Sequence, residues 1–413
     1  MSEPDLSVLG AGGAPVLCES AELASPPPVM GLAPLFRAAL AREDITGLAP
    51  ELIARYERDD DVYALLDLAL IQQLCFQREG GLETLGVALA RQQVFRVAQG
   101  QAGATRLLVV KIPGDFTANV PFECILEHAD MTIDVLYVGP GLPWPTRLPD
   151  HDLLFVAIGE ADTHCATLAQ LGRYLENWPR PVLNPPERIP ALSRAEAFEV
   201  LRGAPGLCMA TTWRADRAAL EKTRPGEISF PIILRPQGGH GGINLSKIES
   251  LSDIAAYLQK VEGNDFFAAN FINYASPDGL FRKYRVVQID GKPFLAHMGI
   301  SQHWMVHYPY PEMKEHPERR AEEAAAMAGF DEGFARRHAA ALSAIHERFG
   351  LDYVGFDCAE TQQGELLVFE LSNALVIHDA DDATLFPYKS PQMRKIFKAF
   401  EDMLHRRAGA AAK

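Results

Sequence analysis

Two carboxylates held close together among apolar side chains need a positive charge between them, and one hairpin in this chain sets them that way. Residues 353–360 and 366–373 read as apolar strands joined by a turn around Gln363-Gly364. With the turn centred there, Asp357 lies directly opposite Glu370, where cross-strand Cβ atoms sit about 5 Å apart and like charges repel. Val354, Phe356, Val368 and Phe369 flank the two carboxylates, so both should be partly buried. Such a pair is costly unless a cation compensates it. Two carboxylates plus the amide oxygen of Asn373 make a hard oxygen set suited to magnesium. The competing reading is a longer turn with both carboxylates in solvent.

A second segment is built to meet an anion. An apolar strand, 230–234, delivers Arg235, and a loop follows with Gly238, Gly239, His240, Gly241 and Gly242. Glycines let backbone N–H groups close on an anion, and the Arg adds a fixed charge. No Gly-Lys-Ser/Thr follows, so this is not a Walker loop. In a third segment, Arg282, Lys283 and Arg285 open a strand, Asp290-Gly291 marks a hairpin, and His297 lies on the return. A basic run is usually a solvated face, but this one lies between the glycine loop and the acidic hairpin.

Other candidates are weaker. His303 and His307 are four apart and would suit zinc on a helix, but no third ligand is evident, and a substrate-facing loop fits better. His378 follows Asn373 and reads as a partner for a substrate carboxylate or as a structural histidine. Asp115 and Asn119 follow the apolar run Leu107–Ile112, at the end of a first strand where open α/β sheets bind ligands. A simple turn with a helix cap is the favoured reading. Cys358 alternates with Asp357 and points to the core.

In this order the segments resemble the ATP-grasp superfamily of ligases, which includes glutathione synthetase and D-alanine–D-alanine ligase. This resemblance covers about residues 185–405, and the runs Arg235–Gly242 and Arg282–Arg285 also resemble an uncharacterised subgroup associated with helical-repeat segments. The resemblance implies that Arg194, Arg235 and Gly238–Gly242 with His240 hold the triphosphate of ATP. Asn270, Phe271 and Ile272 would bind adenine, and Asp357, Glu370 and Asn373 would hold Mg2+. Arg285, with Lys283 and His297 beside it, would meet charge on the transferred phosphoryl group. The implied reaction joins a carboxylate to an amine through an acyl phosphate, releasing ADP and phosphate. The substrates would be small-molecule or peptide acids and amines. The alternatives are an ATP-dependent kinase on the same fold and a nucleotide-binding scaffold without catalysis. Two departures stand out. Arg235 and Arg194 occupy positions where the family usually has Lys, a swap that is not neutral. The stretch Gly299–His303 lacks the second Arg of glutathione-synthetase-like members.

The rest of the chain must position these groups. It has 413 residues, 48% of them apolar, enough for two or three domains. A net charge of −15 repels phosphate backbones, so no nucleic acid is expected and an anionic ligand needs a locally basic pocket. Six scattered cysteines form neither a disulfide framework nor a thiolate metal site. No secretory signal is visible and no apolar run reaches the ~18 residues of a membrane span, so a cytoplasmic protein that contacts no membrane is expected. The fold class is α/β. Residues 1–33 read as a flexible arm, 34–104 as a helical segment and 105–190 as an open parallel-sheet domain preceding the ATP-grasp module. Residues 191–405 read as the two-lobed module, with lobes at about 191–275 and 276–405. The helical segment, three helices by periodicity, reads first as a cap on the next domain and second as a docking surface for a protein partner. A homodimer is the other association considered.

Overall fold

The structure is a computed structural model that describes residues 16–18, 29–238, 242–306 and 311–411. The fold is α/β, in two units: Met1–Ile158 with Ala166–Glu187 and Glu401–Lys413, and Gly159–Cys165 with Arg188–Phe400.

The first unit begins with a short strand, β1 (Val16–Cys18), followed by helices α1 (Leu32–Leu40), α2 (Ala49–Asp59), α3 (Val62–Leu74) and α4 (Arg78–Arg91). Periodicity suggested three helices here. Arg42, at φ 61°, breaks the first of them into α1 and α2. Helix α3 is apolar nearly all round, as expected of a helix buried on several sides, and it packs against α1, α2 and α4. Of the expected arm, residues 1–15 and 19–28 lie outside the described residues. Its end is tied down, because Met30 and Gly31 donate their N–H groups to Asp67 of α3 at 2.8 and 2.9 Å.

The sheet of this unit follows, with β2 (Val94–Ala98), β3 (Thr105–Lys111), α5 (Phe122–Ile125), β4 (Met131–Tyr137), β5 (Arg147–Pro149), β6 (Leu153–Val156), α6 (Cys165–Tyr174) and β7 (Val182–Leu183). Strand β5 pairs with β1. The main sheet has the order β2-β4-β3-β6-β7 and is parallel except for β2, which runs antiparallel to β4. Strands β4 and β6 are buried at every position, which is why they read as unbroken apolar runs.

The second unit contains α7 (Arg194–Leu201), β8 (Leu207–Met209), β9 (Thr212–Asp216), α8 (Arg217–Glu221), β10 (Ile232–Pro236), β11 (Ser246–Ile248), α9 (Leu251–Lys260) and β12 (Asp265–Asn270). It continues with β13 (Phe281–Ile289), β14 (Lys292–Ser301), α10 (Pro311–Glu315), α11 (Pro317–Ala328), α12 (Ala339–Phe349), β15 (Tyr353–Glu360), β16 (Leu366–Ser372) and the start of α13 (Lys389–Ala411). One antiparallel sheet has the order β11-β10-β12-β9, and its core gathers Leu220, Ile232, Leu234, Ile254 and Phe266. The other has the order β14-β13-β15-β16-β8, antiparallel except for β8 beside β16. The β13–β14 turn has positive φ at both Asp290 and Gly291, as an Asp-Gly hairpin requires. No helix of the described residues is long and apolar enough to cross a membrane.

Candidate active site

One rung of side chains crosses the five-stranded sheet. His297 of β14 faces Arg285 of β13, Arg285 faces Asp357 of β15, and Asp357 faces Glu370 of β16. Residues in register across a sheet project from one face, and Lys283 shares that face two residues before Arg285. Next to the turn the pairing register is one residue off the expected one, with Thr361 donating its N–H to Glu365 O at 2.9 Å. A register shift between Asp357 and Cys358 absorbs the difference, so Asp357 still meets Glu370. Cys358, on the other face, is fully buried, and burial pushes its thiol well above the ordinary range.

The positive charge beside these carboxylates comes from the chain itself. Asp357 is 1% exposed. It accepts from Arg285 Nε at 2.8 Å, Arg285 Nη2 at 3.1 Å and Lys283 Nζ at 2.9 Å. Burial alone would raise its pKa, but Arg285 and Lys283 outweigh it and hold the carboxyl well below the usual carboxylate range. Glu370 is held by Arg194, the first residue of α7. Burial opposes ionisation there too, and Arg194 reverses it. The sequence reading assigned this compensation to a metal. Arg285, Lys283 and Arg194 already provide it in the structure, because β13 lies beside β15.

Asn373 is buried, and its Oδ1 accepts the Glu160 N–H at 3.2 Å. Burial, against the pull of Arg194, raises the Glu160 carboxyl to about 7. Glu160 was not singled out from the sequence. The available signal was its place just past the apolar run Leu153–Ile158, at the carboxyl end of a parallel strand.

The rung opens on a pocket of about 190 Å³ within the second unit. Arg235, Ile233 and Phe267 line it from one sheet, and Lys283, Asp357 and Glu370 from the other. Arg235 is buried, and burial together with the charge of Arg194 pulls its pKa down to about 10. Asn270, Phe271 and Ile272 form the wall where the chain leaves β12. The Phe271 ring has Lys247 Nζ 4.3 Å from its centroid and the Trp304 ring edge-on at 5.7 Å. Trp304 is a second residue that sequence reasoning missed, since the His303–His307 stretch was read only for its two histidines. Gly238 and Gly242 have φ of 71° and 75°, which favours glycine, and Gly242 lines the pocket. Gly239, His240, Gly241 and His307 lie outside the described residues.

The remaining candidates separate clearly. His297 and His378 are neutral. Burial, with the charge of Arg285, lowers His297 well below its ordinary value. Burial, with Lys389 and Arg285 acting against Asp381, takes His378 down to about 4, and its Nδ1 accepts the Ala380 N–H at 3.1 Å. His303 lies in a bend with its N–H on Ser301 Oγ, so it is not on the helix that a zinc pair requires. Among the described residues no three His, Cys, Asp or Glu side chains gather as a metal site, so the donor set here is two carboxylates and an amide. In the first unit, Asp115 pairs with Arg78 at 2.8 Å and with its own turn at Thr117. Asn119 uses both side-chain groups on the Ile112 backbone, at 2.8 and 2.9 Å. Both close a loop.

No protein-family model matches the chain, and no curated protein matches it. Among solved structures it is similar to the D-alanine–D-alanine ligase of Bacillus anthracis complexed with ATP, at 14% identity over 74% of this chain and 99% of that one, with a TM-score of 0.46. It is also similar to the VanG D-Ala:D-Ser ligase of Enterococcus faecalis, at 13% identity over 74% and 99% of the two chains, with a TM-score of 0.46. A third likeness is to a RimK-domain ATP-grasp protein of Sphaerobacter thermophilus, at 15% identity over 73% and 100%, with a TM-score of 0.42.

Proposed function

We propose that the second unit is an ATP-grasp module and that the protein is an ATP-dependent ligase joining a carboxylate to an amine. One observation carries this reading. A chain of net charge −15 gathers Arg194, Arg235, Lys283 and Arg285 around two carboxylates, and three of these cations line one pocket with an aromatic wall. Such a pocket suits a ligand with a flat ring at one end and several negative charges at the other, which describes a nucleoside triphosphate. Phe271, Ile272 and Trp304 take the base, and Arg194 and Arg235 take the phosphates.

Asp357, Glu370 and Asn373 fit magnesium by donor chemistry, being oxygen ligands only, and would hold it there. Bound, it supplies positive charge to the terminal phosphates. Arg194 and Lys283, which now neutralise the two carboxylates, then have phosphate oxygens as partners. Arg285 keeps its two-pronged grip on Asp357 and presents its charge to the group in transfer. The acid's carboxylate oxygen attacks the γ-phosphorus, the bond to ADP breaks, and an acyl phosphate forms. The amine nitrogen then attacks the acyl carbon, phosphate leaves, and the amine loses a proton to solvent. The protein's part is positioning and charge neutralisation.

The test is ADP release against a panel of acids and amines, with mass spectrometry of the products. An amide product and amine-dependent ADP release support the reading. ADP release with an acid alone, leaving a stable phosphorylated product, would make the protein a phosphotransferase.

A further inference from the structure

The first unit holds a cavity of its own, lined entirely by residues between Val29 and Tyr137. It measures about 280 Å³, whereas about 150 Å³ suffices to hold benzene in a protein interior. Ile133, Val135 and Tyr137, alternate residues of β4, form one wall with Phe95 and Lys111. Leu66, Leu70 and Leu85 of α3 and α4 form the opposite one. Residues 29–34 close a side and are tied to α3 through Asp67.

One end of this apolar space is ionic. Lys111 Nζ donates to Glu123 Oε1 at 2.9 Å and lies 5.6 and 5.7 Å from the ring centroids of Phe122 and Tyr137. Burial disfavours the ammonium, but Glu123 and Tyr137 outweigh it and keep Lys111 charged. The other Glu123 oxygen is buried without a hydrogen-bond partner among the described residues, a state that is costly for a carboxylate. The further carboxylates of the lining are matched elsewhere, Asp115 by Arg78 and Glu127 by Arg37. The wall is therefore balanced in charge. A ligand that is only an acid meets Lys111 favourably and Glu123 unfavourably, and a simple amine meets the reverse. A zwitterion lying antiparallel to the ion pair gains both attractions.

We propose that this cavity binds a free α-amino acid with an apolar side chain. Its carboxylate lies on Lys111, its ammonium on Glu123, and its side chain among Leu66, Leu70 and Phe95. The site uses no residue of the second unit and stands whether or not that unit is a ligase.

The full chain, without nucleotide, is titrated calorimetrically with L-phenylalanine and L-leucine, and with phenethylamine, 3-phenylpropionate and glycine. The two amino acids should bind at least tenfold more tightly than each single-charge analogue and than glycine. Hydrogen exchange with L-phenylalanine present should slow across 29–34 and α3, and stay unchanged across 353–373. Leu70→Trp, which fills the space, should abolish binding. Equal affinity for a single-charge analogue, protection confined to 353–373, or full binding by folded Leu70→Trp overturns the proposal. Should Leu70→Trp fail to fold, the ligand panel and the exchange pattern decide on the wild type.

Discussion

Arg96 of β2 faces Asp134 of β4 in the first unit, as Arg285 of β13 faces Asp357 of β15 in the second. Both are antiparallel cross-strand pairs with two-pronged bonds, at 2.9 and 3.0 Å in the first and 2.8 and 3.1 Å in the second. Both aspartates are 2% exposed at the side chain. The difference is in what surrounds them. Asp134 meets one guanidinium. Asp357 also takes Lys283 and faces Glu370, and Glu370 has Arg194. With Arg235 nearby, cations outnumber carboxylates, and the surplus borders a pocket. A balanced buried pair that lines neither cavity, like Arg96 with Asp134, is complete in itself, whereas an overloaded one beside a pocket has charge to spare for an anion. The pair alone does not mark a site. Its stoichiometry and its access to a cavity do.

The largest expected effects test that contrast directly. Asp134→Asn and Asp357→Asn each leave a guanidinium buried without its counter-charge, so each should cost about 3–5 kcal/mol in denaturant unfolding. Only Asp357→Asn should also lose ADP release, by about 10²–10³-fold per folded molecule. Like-charge repulsion across the hairpin would predict that removing one carboxylate costs no stability. That expectation fails here because Arg285 and Lys283 already neutralise Asp357. Glu370→Gln should lose turnover as severely but less stability, since its side chain is 29% exposed. If Asp134→Asn lost turnover per folded molecule as Asp357→Asn does, the two pairs would not differ in kind.

Two buried histidines extend the comparison to pH. His151 in the first unit accepts from Trp178 Nε1 at 3.1 Å and has its Nδ1 2.9 Å from Pro149 O, so both nitrogens are used on a neutral ring. Burial lowers its pKa. His378 in the second unit is lowered from 6.5 to about 4 by burial, with Lys389 and Arg285 acting against Asp381. A depressed folded pKa adds stability above the unfolded value, and that stability is lost as pH falls toward the folded one. The share from His378 should be about 3 kcal/mol, lost between pH 6.5 and 4. His378→Gln should remove that share from the pH dependence of unfolding and leave the share of His151. A pH profile unchanged in His378→Gln would place the sensitivity in the other histidines that burial lowers, His151 of the first unit and His297 of the second.

Arg235 separates binding from stability. Burial and Arg194 both disfavour its charge, so Arg235→Ala should keep or raise stability without nucleotide. It should weaken binding of a non-hydrolysable ATP analogue by about 1.5–3 kcal/mol in calorimetry, and Arg235→Lys by less. Arg96→Ala should do the opposite, losing stability while nucleotide affinity holds. Equal analogue affinity for wild type and Arg235→Ala would remove this strand from the phosphate site.

How far the site was legible depends on how local its parts are. The Asp357–Glu370 opposition follows from two alternating strands and one turn, all within twenty-one residues. The register shift that preserves it carries no sequence signature. The compensation of Asp357 by Arg285 and Lys283 depends on β13 lying beside β15, a neighbour relation spanning about seventy residues that periodicity cannot supply. Glu160 and Trp304 escaped for the same reason, as each acquires meaning only from what packs against it. In the fold, the α/β class was readable from the continuous apolar runs of β3, β4 and β6. The break between α1 and α2 was missed although Gly47 and Pro50 mark it, because the apolar residues on either side, Leu35–Leu40 and Leu52–Tyr56, both keep helical spacing.

The smallest effect concerns glycine. Gly103, between β2 and β3, has φ 88° and open space where a Cβ would go, so Gly103→Ala is penalised by backbone strain alone. Gly242 has φ 75° and lines the pocket. Both substitutions should cost about 1–2 kcal/mol of stability, the penalty for an L-residue in the left-handed region. Nucleotide tells them apart. A methyl at Gly242 lies where the backbone must approach the ligand closely, so Gly242→Ala should weaken ATP-analogue binding by about 1 kcal/mol beyond its strain. Gly103→Ala has nothing near it to disturb and should bind as wild type. Calorimetry on the folded variants, paired with their unfolding midpoints, gives both numbers on the same samples. If the two bind alike, Gly242 is a turn glycine like Gly103, and the phosphates are held by Arg194 and Arg235 without the loop.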